Sequence, residues 1–190
     1  LMDKPVIAIV GRPNVGKSLL FNRIIERRHA IVEDTPGVTR DRIYAEASWA
    51  GRDFVVIDTG GIEPKTDDMI LRFMRQQALI AIDNADVVIF ITDVRVGVTA
   101  ADDEVASMLK KAKKQVVLAV NKVDSLGAPP AELYEFYNLG LGDPMPISAM
   151  HGHGPGDLLD ACCALLPPEA DHVVEEESPI RWAVVRSPNV

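Results

Sequence analysis

The sequence predicts an α/β fold of three layers: a mostly parallel sheet with one antiparallel strand, covered by helices on both faces. Two observations carry this expectation. Apolar runs of strand length at 6–10, 54–57 and 116–120 alternate with stretches of helical periodicity, the pattern of a sheet buried on both sides. In addition, Ile43–Trp49 and Arg52–Asp58 face one another across Ala50-Gly51, which reads as a hairpin and puts one strand against the direction of the rest.

The elements follow in order. Residues 5–10 form the first strand and lead into a helix over 16–28, whose apolar pattern begins Leu19-Leu20-Phe21 and returns at Ile24-Ile25. A loop over 29–42 of about fourteen residues is longer than ordinary connections, and such loops usually carry function. After the hairpin come a helix over 67–83, a strand over 86–92, a helix over 100–113 and a strand over 115–121. A helix over 131–138, a short strand near 145–148 and a helix over 155–166 close the domain, with right-handed crossovers. The basic run Lys110-Lys111-Ala112-Lys113-Lys114 falls where a helix C-terminus favours cations, so it reads as a solvated helix end before an RNA contact.

The loop between the first strand and helix reads Gly11-Arg12-Pro13-Asn14-Val15-Gly16-Lys17-Ser18, with Leu19 next, and fits G-x-x-x-x-G-K-[ST] in strand–loop–helix context. Glycines there let the backbone wrap close to phosphates, successive N–H groups point inward, and the helix N-terminus adds partial positive charge. Lys17 is placed to reach β- and γ-phosphates, and the Ser18 hydroxyl to ligate Mg²⁺. The loop implies a nucleoside triphosphate without naming the base.

Asn121-Lys122-Val123-Asp124 names it. The segment ends an apolar strand, where open α/β sheets bind ligands. The Asp124 carboxylate accepts from both N1–H and the exocyclic amino group of guanine, whereas adenine has neither donor and would leave it desolvated and unpaired. Lys122 can lay its stem on the base, and Asn121 can brace the loops. Asp58-Thr59-Gly60-Gly61 ends another strand, putting a carboxylate near Mg²⁺ and a Gly61 N–H near the γ-phosphate. Thr39, in Pro36-Gly37-Val38-Thr39-Arg40-Asp41, could close its hydroxyl over Mg²⁺ and the γ-phosphate, and Ser148-Ala149 could offer backbone to the guanine carbonyl.

In order, these five segments resemble the G1 to G5 motifs of the translation-factor-related GTPases. P-N-V-G-K-S, P-G-V-T-R-D, D-T-G-G-I and the run from Ile147 to Gly154 (I-S-A-x-H-G-x-G) are similar to the first G domain of the EngA (Der) GTPases. The resemblance implies a three-layer P-loop GTPase fold and Mg²⁺-dependent hydrolysis of GTP to GDP, with Lys17, Thr39, Gly61 and Asn14 in the catalytic apparatus. It also implies a bacterial, cytoplasmic protein with tandem G domains and a C-terminal KH-like domain, acting in assembly of the large ribosomal subunit. Era-like and tRNA-modification G domains share the loop asparagine and D-T-x-G, and a nucleotide-gated binding module with incidental hydrolysis is a further alternative. Ras-like enzymes orient water with a glutamine where Ile62 stands here, so the intrinsic rate should be low. In related GTPases an asparagine at the position of Asn14 ligates K⁺ in the place of an arginine finger, although a turn asparagine bonding its own backbone would look the same. Arg40 and Arg42 are alternative charge donors.

A chain of 190 residues that is 47% hydrophobic fits one domain with a sizeable core. No apolar run suits a bilayer, so no membrane partner is expected. Cys162 and Cys163 are helix neighbours pointing about 100° apart, which suits reduced thiols over a disulfide. Net charge −8 disfavours nonspecific binding of naked nucleic acid, so ribosome contacts are expected mainly outside this stretch. The G domain reads as 1–166. Residues 167–179 open with Pro167-Pro168, carry five acidic residues without a Lys or Arg, and read as a linker. Residues 180–190 echo the first strand and loop at an offset of about 175 residues, which reads as the first strand of a second G domain. In that echo Arg186 stands where the first copy has Gly11, and Ser187 where it has Arg12, so it lacks a normal phosphate loop.

Overall fold

The computed structural model describes residues 4–26, 43–60 and 64–169, excepting the side chain of Ile43. Helix α1 (Lys17–Glu26) follows strand β1 (Val6–Gly11), and the hairpin pairs β2 (Ile43–Trp49) with β3 (Arg52–Asp58). Then come α2 (Asp67–Asn84), β4 (Val87–Asp93), α3 (Ala100–Lys111), β5 (Gln115–Asn121), a 3₁₀ helix (Ala131–Leu139), β6 (Met145–Pro146) and α4 (Pro155–Leu165). The six-stranded sheet has the order β2-β3-β1-β4-β5-β6, antiparallel only between β2 and β3.

Strand alternation sorts the core into two halves. Ile7 and Ile9 of β1 face one cluster with Leu20, Phe21 and Ile24 of α1 and Leu158 and Cys162 of α4. Ala8 and Val10 face the other, with Met74, Ala78 and Ala81 of α2 and Val105 and Leu109 of α3. All seven residues of β4 are buried, as a central strand covered on both faces must be. Cys162 and Cys163 are both free thiols, and burial pushes that of Cys162 up to about 12, out of reach of ionisation at neutral pH.

Three elements differ in detail from the sequence expectation. The stretch after Pro130 is a 3₁₀ helix because Leu133, Phe136 and Leu139 recur every third residue, and a three-residue turn puts all three on the buried side. Tyr134 and Tyr137 repeat at the same spacing on the outside, where their rings stack with centroids 6.3 Å apart. Helix α3 stops at Lys111 because Lys113 turns left-handed, with φ 54°. The last strand keeps only Met145–Pro146, since Ser148 instead bridges to His153. Lys110 and Lys114 donate to the carbonyls of Leu139 and Ala85, so two members of the basic run act as helix-end clamps.

The long loop with Thr39, Arg40 and Arg42, the residues Gly61 and Ile62, and the echo over 180–190 lie outside the described residues. Of the acidic stretch only its start is described. There Arg52 of the hairpin donates to the Pro167 carbonyl and pairs with Glu169.

Candidate functional site

Parallel strands end on the same edge of a sheet, and here every chemically rich segment sits at such an end. Registers put Gly11 beside Ile91, Ile9 beside Asp58 and Asp93 beside Asn121. The edge opens into a cleft of about 420 Å³ lined by the loop after β1, by Lys122 and Asp124 after β5, and by Ser148.

The loop from Gly11 to Ser18 is shaped by close approach. A Cβ on Gly11 would lie 2.4 Å from the Ile91 carbonyl oxygen, and one on Gly16, whose φ is +99°, would lie 2.3 Å from Asn121 Nδ2. Asn14 is left-handed, with φ 62°, a conformation asparagine tolerates better than most residues. Its side chain is exposed along the cleft. Val15 is buried in the core, and Leu19 lines the cleft from the first turn of α1. Lys17 folds back over the loop, donating from Nζ to the carbonyls of Gly11 at 2.7 Å and Arg12 at 3.1 Å, with the Phe73 ring 5.2 Å from its ammonium. The loop thus holds its lysine on its own carbonyls, contacts that phosphate oxygens would replace.

Ser18 and Asp58 come from different strand ends yet meet, Ser18 Oγ donating to Asp58 Oδ2 at 3.2 Å. The other Asp58 oxygen accepts the Gly60 N–H at 2.9 Å, which fixes the carboxylate. A hydroxyl and a carboxylate side by side at a phosphate loop are the hard oxygen donors that suit Mg²⁺. Thr39 and Gly61, the other expected members of this end, fall outside the described residues.

At the opposite end one side chain joins two loops. Buried Asn121 donates from Nδ2 to the Val15 carbonyl at 2.7 Å, and its Oδ1 accepts the Ala149 N–H at 3.0 Å. Lys122, at φ 66°, reaches the Asn14 carbonyl at 2.7 Å and pairs with Asp93 at 2.6 Å. Asp124 accepts the Ser148 hydroxyl at 2.7 Å. That hydrogen bond foremost, then the charges of Arg95 and His151, hold the Asp124 carboxyl below the usual carboxylate range against the opposing pull of partial desolvation.

Three residues here escaped the sequence reading. Gln77 of α2, 1% exposed, accepts the Gly11 N–H at 3.2 Å, donates to the Gly11 carbonyl at 3.1 Å and accepts the Thr59 hydroxyl at 3.0 Å. A signal existed, because Gln77 interrupts the apolar stripe of Met74, Ala78 and Ala81. Asp93 ends β4 and accepts the Arg95 N–H at 2.8 Å. Arg95 lines the cleft and pairs with Asp124, and no periodicity marks it. Replacing Gln77 with Leu leaves the Gly11 N–H buried without its acceptor, and the expected cost is about 1–3 kcal/mol. Urea unfolding should register it as a lower midpoint at unchanged slope.

The family model described as "50S ribosome-binding GTPase" matches residues 6–122. Among curated relatives, GTPase Der of Acetivibrio thermocellus is 58% identical over 189 residues, covering 100% of this chain and 43% of that protein. GTPase Der of Clostridium novyi is 59% identical with the same coverage. The chain therefore spans less than half the length of the curated relatives it matches, and it aligns with their N-terminal part. Among solved structures, Era of Aquifex aeolicus bound to GDP and AlF4⁻ is 29% identical, with a TM-score of 0.67 over 89% of this chain and 59% of that one. Era in complex with MgGDPNP and a stretch of 16S ribosomal RNA is 30% identical, with a TM-score of 0.68 over 90% and 59%.

Proposed function

The chain belongs to the 50S ribosome-binding GTPase family, and on that premise we propose that it binds GTP and GDP in this cleft and hydrolyses GTP. A single observation carries the reading: Lys17, Ser18, Asn121 and Asp124 line one cleft from the ends of β1 and β5, and Asp58 at the end of β3 meets Ser18 there. Asn14, Val15, Gly16 and Leu19 would line the phosphate path with backbone N–H groups, while Gly11, whose N–H Gln77 accepts, lets the start of the loop lie close against β4. Asp124 and Lys122 would take the base, and the Ser148-Ala149 backbone would face its carbonyl, with the Ala149 N–H shared between that carbonyl and Asn121. Ser18 and Asp58 would hold Mg²⁺ with Thr39, and that ion would neutralise charge on the phosphate oxygens. Lys17 would leave the carbonyls of Gly11 and Arg12 for the β- and γ-phosphates, so a cation already desolvated in the loop meets the charge that develops in transfer to water.

The whole protein would be a cytoplasmic factor in assembly of the large ribosomal subunit, a reading supported by the family's description and by the relatives' likeness. Among the described residues no helix is long and apolar enough to cross a membrane. The alternative of a gated binding module draws on Ile62, which cannot orient water.

Titration of the chain with GTP, GDP and ATP tests the reading. Tight guanine binding, weak adenine binding and a severe loss in Lys17→Ala are expected, and equal affinity for ATP would overturn it. Thr39→Ala should spare GDP while impairing GTP-dependent ordering and hydrolysis, because its contact needs the γ-phosphate. Equal losses for GDP and GTP would remove Thr39 from that role.

A further inference from the structure

Resting on the reading of the cleft as a guanine-nucleotide site, we propose that Arg95 is an internal competitor for the base-reading carboxylate, paired with Asp124 until guanine displaces it. One terminal nitrogen of the guanidinium lies 2.5 Å from Asp124 Oδ2, while Oδ1 holds the Ser148 hydroxyl at 2.7 Å. The chemistry of the two ligands is alike. Guanine presents N1–H and a 2-amino group, two N–H donors joined through one carbon, and a guanidinium presents the same arrangement with a full charge. With Ser148 on Oδ1 and the guanidinium on Oδ2, guanine's two donors meet oxygens already engaged, and the charged donor is the one in their path.

The surroundings suit a side chain that exchanges places with a ligand. The Arg95 backbone is fixed, its N–H bonded to Asp93 Oδ1 at 2.8 Å, and Asp93 is only 4% exposed. Its side chain is 64% exposed, so leaving Asp124 costs no packing. Asp93 Oδ2 meanwhile pairs with Lys122 at 2.6 Å, so one buried carboxylate seats both cationic residues of the base end. With Ser148 on Oδ1, the guanidinium gives Oδ2 its charged partner until a base takes its place. In the bound protein the displaced guanidinium stays tethered close by and recaptures the carboxylate as the base lifts, which shortens nucleotide residence.

The test is a stopped-flow titration of the chain with ribose-labelled fluorescent GDP, comparing the parent with Arg95→Ala and Arg95→Lys. Arg95→Ala should bind GDP about three-fold more tightly, the worth of an exposed ion pair, through faster association and slower release. Arg95→Lys keeps a cation within reach and should stay near the parent. In an Asp124→Asn background, read with xanthosine diphosphate, removing Arg95 should change nothing, because the contested charge is gone. Weaker or unchanged GDP binding in Arg95→Ala overturns the proposal, as does a gain that persists without Asp124. If neither parent nor variant binds GDP, the guanine reading of the cleft itself fails, and the competitor role falls with it.

Discussion

Asp124→Asn should lower GTP affinity on the order of 10²–10⁴-fold and shift preference toward xanthosine triphosphate. The loss is that of two hydrogen bonds to a charged acceptor, each worth roughly 1.5–3 kcal/mol. The gain arises because the new amide donates to the carbonyl that xanthine carries where guanine has its amino group. The carboxylate is well prepared for its part, since the Ser148 hydroxyl and the neighbouring cations favour its ionised form. A carboxyl held below its ordinary range stays ionised above that range and protonates only at lower pH, so base preference should persist in mildly acidic buffer down to about pH 5. Parallel titrations of parent and variant with both nucleotides decide the matter. Parent-like GTP affinity in the variant would remove Asp124 from base reading.

The largest kinetic effect is expected from potassium. Hydrolysis should be far faster in KCl than in NaCl at matched Mg²⁺ and ionic strength, and Asn14→Ala should abolish the difference with little change in nucleotide affinity. In sequence Ile62 stands where Ras-like enzymes have a water-orienting glutamine, so the expected help for hydrolysis lies in charge stabilisation. Arginine fingers that meet this need are worth roughly 10³–10⁵ in rate, and a monovalent cation at the phosphates would supply the same charge. Asn14 is suited to hold one, because its left-handed backbone aims an exposed amide along the cleft while its carbonyl is taken by Lys122. Identical rates in the two salts would end the assignment.

Much of this molecule was legible because its elements follow short-range rules. Continuous apolar runs marked the buried strands, and Ala50-Gly51 marked the hairpin, whose residues both adopt positive φ. The phosphate loop and N-K-x-D were legible as fixed spacings at strand ends. The 3₁₀ helix was less so, since an apolar residue every third position also fits part of an α-helical stripe. Arg95 and Gln77 were missed for a different reason. Their partners, Asp124 and Gly11, lie 29 and 66 residues away, and only the folded sheet brings them together. Such a pairing leaves no mark on periodicity at Arg95, and at Gln77 only a polar break in an apolar stripe that does not say what it bonds.

The amide of Asn121 makes the two ends of the cleft parts of one gauge. Because it grips Val15 on one side and Ala149 on the other, the span between the phosphate loop and the base-facing loop is set when the chain folds. The ordering entropy of that span is met in folding, so a ligand of matching length meets a caliper already locked at its width. Two halves of such a ligand, supplied separately, find their seats at full quality, and a molecule one bond too long or too short gains from only one of them. Length, as much as hydrogen bonding, then becomes a criterion of entry.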